Sequence, residues 1–234
     1  MGQFVNLNSP DGFTLPVYVA RPATAPRGAV VVLQEIFGVN DHIRAVAERY
    51  AAEGYLAVAP STFARVQPGV ELGYSDADMA TGMTLKERVE SRPGAGVLSD
   101  VQTAIDYAAL EAGGSVAAAK VGIVGFCWGG LLAWRAACTL RGLAAAVCYY
   151  GGGMTTEHER ARTPRCPVLA HFGKKDHFID AASVPPFAQA HPGVQVHLYD
   201  ADHGFNCDQR GSYDQAAADQ ARERTHAFFA EHLR

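Results

Sequence analysis

The sequence predicts an α/β fold, a mostly parallel central sheet flanked by helices on both faces. Three observations carry that expectation. Short runs rich in β-branched residues alternate with helix-length amphipathic segments along most of the chain. Several runs, such as GAVVVLQ at 28–34, are apolar without alternation, the mark of a strand buried on both faces. No internal repeat and no linker-like stretch interrupts the pattern, so a single domain over residues 1–234 is expected.

Taken in order, residues 3–7 and 14–20 read as two strands around the turn SPDG at 9–12, a hairpin signal. After the strand at 28–34, Asn40 or Asp41 can cap a helix with Ile43, Val46, Ala47 and Tyr50 on its inner face and Gly54 as its stop. YLAVAP at 55–60 is the next strand. Residues 61–96 are rich in Gly, Pro and polar residues and read as an irregular, lid-like insertion with one short helix around 85–89. A helix follows at 98–111, with Val101, Ala104, Ile105, Ala108 and Ala109 as its apolar stripe. Then come a strand at 120–126, a helix at 128–140, and strands at 143–150 and 167–173. A short helix at 182–190, a last strand at 194–199 and a helical tail from about 212 to 232 complete the chain. Ala221, Ala227, Phe228 and Phe229 are the residues expected to dock that tail.

Composition narrows the function classes. The chain is 48% hydrophobic and 19% charged, which suits a globular protein with a sizeable core. A net charge of -4 without any basic block argues against a nucleic-acid partner. No apolar run reaches the length of about 18 residues that spans a membrane, and the N-terminal stretch lacks the pattern of a secretion signal. The five cysteines include no C-x-x-C pair, so reduced thiols and a cytoplasmic location are expected, with Cys138 and Cys148 as small core residues. The expected partner is a small-molecule substrate, and the expected state a monomer or small homo-oligomer.

The stretch VGIVGFCWGG at 121–130 places a thiol between glycines where a strand hands over to a helix. G-x-nucleophile-x-G at such a turn is a nucleophile elbow, whose middle residue is held in a strained conformation above the sheet edge. Gly125 and Gly129 supply the small neighbours, Cys127 takes the nucleophile position, and the dipole of the helix beginning at Trp128 favours a thiolate. The bland reading is a glycine-rich turn around a core cysteine. The glycine spacing fits neither G-x-G-x-x-G nor a P-loop.

In this architecture an acid and then a histidine follow the nucleophile, each on a loop after a strand. Asp176 lies just past the strand at 167–173, and His203 just past the strand at 194–199. Chemistry in open α/β sheets gathers at that edge. His203 would accept the thiol proton, with Asp176 holding its tautomer. His177 is the rival histidine, but it directly neighbours the acid. A metal site from His171, Asp176, His177 and His203 lacks a compact ligand motif, and no metal is expected. The loop LQEIFGVN at 33–40 would supply the Ile36 N–H to an oxyanion hole, with the Trp128 N–H as its second donor. Glu35 is then an odd neighbour for a thiol, because a carboxylate opposes thiolate formation. Its bland alternative is a salt bridge with an arginine at the strand end.

Several stretches together resemble the dienelactone hydrolase family: QEIFGVN (34–40), ARVQPG (64–69), GFCWGG (125–130), YYG (149–151), DHF (176–178), HGF (203–205) and ERT (223–225). The resemblance runs from about residue 28 to the C-terminus. It implies the α/β-hydrolase fold, no cofactor, and a Cys-His-Asp triad of Cys127, His203 and Asp176. It implies opening of dienelactone rings to maleylacetate through a thioester, as in the breakdown of chlorinated aromatics. It also implies that Glu35 takes part in the proton exchange that frees the thiolate. In the family two arginines hold the substrate carboxylate. One of those positions, four residues after the catalytic histidine, is Cys207 here, with Arg210 three residues on. For the other, the segment TLKERVESR offers Lys86, Arg88 and Arg92, of which Arg88 is taken as the candidate, and Phe37, Trp128 and Tyr149 are candidate pocket walls. The same fold acting on another small ester or thioester is the main alternative. A non-catalytic thiol sensor is a lesser one, since a sensor needs only an accessible low-pKa thiol.

Overall fold

The computed structural model describes residues 2–94, 96–113 and 120–233. Its strands are β1 (Gln3–Asn8), β2 (Thr14–Ala20), β3 (Ala29–Leu33), β4 (Leu56–Pro60), β5 (Val121–Phe126), β6 (Leu143–Tyr149), β7 (Val168–Gly173) and β8 (Val194–Tyr199). They form one sheet in the order β1-β2-β4-β3-β5-β6-β7-β8. Strands β3 to β8 run parallel, and β1 and β2 form an antiparallel edge on β4. Every residue of β3, β4, β5 and β7 is buried, which accounts for their unbroken apolar sequences.

The helices are α1 (Asp41–Ala52), α2 (Asp76–Glu90), α3 (Val97–Glu111), α4 (Trp128–Thr139), α5 (Glu157–Arg160), α6 (Val184–Ala190) and α7 (Gln215–His232). Tyr50 of α1 meets Phe229 of α7, and Trp134 of α4 meets Phe187 of α6. Asn40 is the N-cap of α1, its side chain accepting from the Ile43 N–H. All five stripe residues expected for α3 are buried. In α7, Ala221, Phe228 and Phe229 dock as expected, but Ala227 is exposed, and Ala218 and Thr225 fill the inner face instead. Among the described residues no helix is long and apolar enough to cross a membrane.

The insertion at 61–96 departs most from its sequence reading. It carries a fifteen-residue helix, α2, in place of the short one expected around 85–89. A capping box starts it: the Ser75 hydroxyl accepts from the Asp78 N–H, and the Asp78 carboxylate accepts from the Ser75 N–H. Only Gly82, Leu85 and Val89 of this helix are buried, so it has almost no apolar stripe to read. Gly82 lies so close to the β3 loop that a Cβ there would stand 2.3 Å from the Ile36 carbonyl oxygen. The start of the insertion is tied down by Arg65, whose guanidinium bonds Asp100 of α3 and Asp11 of the β1–β2 turn. The one-turn helix α5 is too short to leave a periodic trace in sequence.

One core histidine makes stability depend on pH. His171 in β7 is fully buried, bonded through Nδ1 to the Tyr199 hydroxyl (2.8 Å) and through Nε2 to the Thr225 hydroxyl (3.1 Å). Burial, with the nearby His197 and Arg224, holds its pKa well below the ordinary value. The native ring stays neutral where the unfolded ring, with a pKa near 6.5, takes a proton. Its contribution is therefore present above about pH 6.5 and is lost as the pH falls below it, by at most about 1.4 kcal/mol per pH unit. Melting temperatures of wild type and His171→Asn between pH 7.5 and 5 check this. The wild type is expected to lose more over that interval. Parallel curves would assign the acid sensitivity to other groups.

Candidate active site

The loops after β3, β5, β7 and β8 meet at one edge of the sheet. Cys127 sits between β5 and α4 with φ 55° and ψ -119°, a left-handed conformation that non-glycine residues rarely adopt. The turn is pinned by the Cys127 N–H donating to the Tyr149 carbonyl at 3.0 Å. It is possible because its glycines admit close backbone approach. A Cβ on Gly125 would stand 1.9 Å from the Gly129 carbonyl oxygen, and one on Gly129 would stand 2.4 Å from that of Gln34. The side chain of Cys127 lies at the N-terminus of α4, partly exposed.

Asp176 and His203 converge there. Nδ1 of His203 lies 2.8 Å from Asp176 Oδ2, and both side chains are almost fully buried. The second carboxylate oxygen of Asp176 accepts from the N–H groups of Phe178 (2.8 Å) and Ile179 (3.0 Å), which fixes the carboxylate plane. Burial alone would lower the His203 pKa. The charge and hydrogen bond of Cys127, together with Asp176, outweigh it and push the pKa up to about 10. The rival His177 is exposed and pairs with Asp202 at 3.0 Å. His171 is in the core, so the four residues considered for a metal site do not come together.

The pocket over Cys127 has a volume of about 200 Å³ and is mostly apolar. Ile36 and Trp128 line it, and neither backbone N–H donates a hydrogen bond among the described residues. Phe37 forms a wall. The indole of Trp128 stacks on Phe63 (5.2 Å between centroids) and donates to Glu90 of α2 at 3.0 Å. Helix α2 roofs the pocket with Met79, Met83 and Lys86. Arg88 lies outside it, its guanidinium donating to the Val66 carbonyl at 3.1 Å. Tyr149 is also not a wall. Its ring is buried in the core and its hydroxyl pairs with that of Thr225 at 2.7 Å. The next residue, Tyr150, has φ 37° and packs its ring 5.0 Å from the His203 ring. Sequence reasoning assigned no role to Tyr150, Met79, Met83 or Phe178: the first and last stand in the YYG and DHF stretches without one, and the two methionines belong to no motif.

Arg210 reaches the pocket from the loop after β8. Its Nη1 donates to Glu35 Oε1 at 3.0 Å. Gly204 makes room for it: a Cβ there would stand 2.5 Å from the guanidinium. Glu35 is 1% exposed, and its other oxygen has no hydrogen-bond partner among the described residues. The arginine expected to pair with Glu35 thus comes from a distant loop, not from the strand end.

Comparison with known proteins agrees with this architecture. The model of the dienelactone hydrolase family matches residues 15–233. A Synechocystis protein provisionally named a carboxymethylenebutenolidase is 37% identical over 233 residues, 93% of this chain and 92% of that one. A carboxymethylenebutenolidase of Pseudomonas putida is 35% identical over 232 residues, 97% of this chain and 95% of that one. A crystal structure from Klebsiella pneumoniae, provisionally named a dienelactone hydrolase, superposes with a TM-score of 0.82 at 34% identity, covering 98% of each chain. Fold, site edge and these matches agree, and the chain belongs to the dienelactone hydrolase family, α/β hydrolases that act on ester bonds.

Proposed function

We propose that the protein opens a lactone of the dienelactone type by covalent catalysis at Cys127. The observation that carries this reading is the chain from the Asp176 carboxylate to the His203 ring beneath a strained Cys127 at the mouth of an apolar cavity. The thiolate attacks the lactone carbonyl, and the N–H groups of Ile36 and Trp128 receive the oxyanion. The C–O ring bond breaks, with the proton carried by His203 passing to the departing oxygen, which stays within the same molecule. Water, deprotonated by His203, then hydrolyses the thioester and restores the thiol. Glu35 and Arg210 set the charge beside the pocket.

The test is ring opening of cis- and trans-dienelactone, followed by absorbance, beside a panel of short neutral esters. Turnover of a dienelactone supports the lactonase reading. Turnover of esters alone, with the thiol shown to be reduced, would leave an ester hydrolase and remove the dienelactone assignment. Cys207 stands where the family has a carboxylate-holding arginine and cannot do that work. Arg210 and Lys86 are the cations that line this pocket.

Arg210→Gln is therefore expected to raise KM for a carboxylate-bearing substrate by about 10- to 100-fold, the usual worth of a charge-assisted hydrogen bond. Neutral esters of similar size should change by less than about threefold in KM. Equal losses on both substrates would show that Arg210 supports the site through Glu35 and does not hold the carboxylate.

A further inference from the structure

We propose that Glu35, His42 and Cys207 bind a borderline-soft divalent cation, Zn²⁺ first among them, in the buried layer beside the pocket. The three residues come from the loop after β3, the first turn of α1 and the loop after β8. One potential ligand atom from each lies within 4.8 Å of the others. A tetrahedral ion with bonds of about 2.0–2.3 Å holds its ligands roughly 3.3–3.8 Å apart, so the side chains need to close by at most about 1.5 Å.

Two observations beyond proximity point to a ligand. Glu35 Oε2 and His42 Nε2 are both buried, and neither has a hydrogen-bond partner among the described residues. Buried polar atoms of that kind are uncommon and costly. The outer contacts are also those of a metal site. His42 Nδ1 lies 3.1 Å from Asp208 Oδ1. With its Nδ1–H given to that carboxylate, the ring presents a lone pair at Nε2, the arrangement in which histidine ligates metals. Tyr74, whose hydroxyl accepts from Asn40 at 3.1 Å, also hydrogen-bonds the Cys207 sulfur.

The donor set selects the metal. Thiolate, imidazole and carboxylate suit Zn²⁺ or Co²⁺, whereas Mg²⁺ and Ca²⁺ prefer oxygen alone. One carboxylate and one thiolate neutralise a divalent ion, which a buried position demands. On binding, the metal–sulfur bond replaces the S–H bond, and the proton passes to the buffer. An ion on Glu35 Oε2 leaves Oε1 with Arg210, so it reaches the pocket through a single carboxylate.

The experiment uses the full chain, reduced, stripped with a chelator and desalted, then titrated with Co²⁺ and followed by absorption. The expected result is one Co²⁺ per chain with the near-ultraviolet charge-transfer band of a cobalt–thiolate bond, displaced by one equivalent of Zn²⁺. Cys127→Ala should keep the band and Cys207→Ser should abolish it. His42→Gln should weaken binding by more than about tenfold. Asp208→Asn alters a largely exposed side chain, so folding is not at issue. It should weaken binding by about 10- to 100-fold with an unchanged melting temperature. No band at several-fold excess of Co²⁺ would overturn the proposal. So would a band that survives Cys207→Ser, one that is lost with Cys127→Ala, or affinity indifferent to Asp208→Asn.

Discussion

Cys127→Ala is expected to lower kcat/KM by at least about 10⁴-fold on whichever lactone or ester the wild type turns over. The argument is one of chemistry. No other thiol is available to replace it. Cys138, Cys148 and Cys207 are buried, and burial pushes the pKa of Cys166 up to about 12. Alanine keeps the Cβ that the left-handed backbone at this position already accommodates, so the elbow has no new reason to rearrange. The melting temperature should therefore stay close to that of the wild type while turnover disappears. A wild-type sample quenched during steady state should carry an acyl adduct on the tryptic peptide containing Cys127. The variant should carry none. Residual activity within about tenfold of wild type, in protein free of contaminating esterase, would show that water attacks directly and that no thioester lies on the path.

Much of this architecture is legible in the sequence because its signals are local. GAVVVLQ and VGIVGF declare buried parallel strands by composition alone, and the side-chain amide of Asn40 and the stop at Gly54 bound α1 as they stand. Helix α2 fails to show because it roofs a pocket instead of covering the sheet. It buries little, and the residues that do its work face a cavity. Its capping box also uses Asp78 where Glu or Gln is the commoner signal.

The same division runs through the site. Asp176 and His203 could be picked out because strand ends are visible and the chain order of this architecture fixes which loops matter. Residues chosen for their type alone landed one step off. Met79, Met83 and Lys86 follow one another at four and three residues, so they share a helix face, and Arg88 is turned away to Val66. Tyr149 ends β6 with its side chain toward Thr225 of α7, and the positive φ of Tyr150 turns the next ring to His203. The pairing of Glu35 with Arg210 and its approach to His42 and Cys207 join segments far apart in sequence, and no motif encodes them.

The elbow itself is expected to be the position least tolerant of a single methyl group. In Gly125→Ala the added carbon would stand 1.9 Å from the Gly129 carbonyl oxygen, 2.3 Å from its carbonyl carbon and 2.8 Å from the Gly130 nitrogen. All three atoms are backbone in the first turn of α4. That turn has little room to retreat, because it is itself packed on backbone: a Cβ on Gly129 would stand 2.4 Å from the Gln34 carbonyl oxygen, and one on Gly130 would stand 2.6 Å from that of Tyr149. Relief requires α4 to move off β5, with loss of packing around Leu132 and Trp134, both fully buried. The expected cost is about 3 kcal/mol or more, at the high end for a small-to-large core change. The control is Gly193→Ala. That glycine is exposed, has no positive φ, and has nothing within 4 Å of an added Cβ. It should be neutral or slightly stabilising, by up to about 1 kcal/mol, through the unfolded chain. Urea unfolding of the two variants separates a steric requirement at the strand–helix turn from any general cost of replacing glycine. If Gly125→Ala unfolds within about 1 kcal/mol of Gly193→Ala, then β5 and α4 can separate cheaply. The strained conformation of Cys127 would in that case be held by the Tyr149 hydrogen bond and the loops, and not by the close approach of helix and strand.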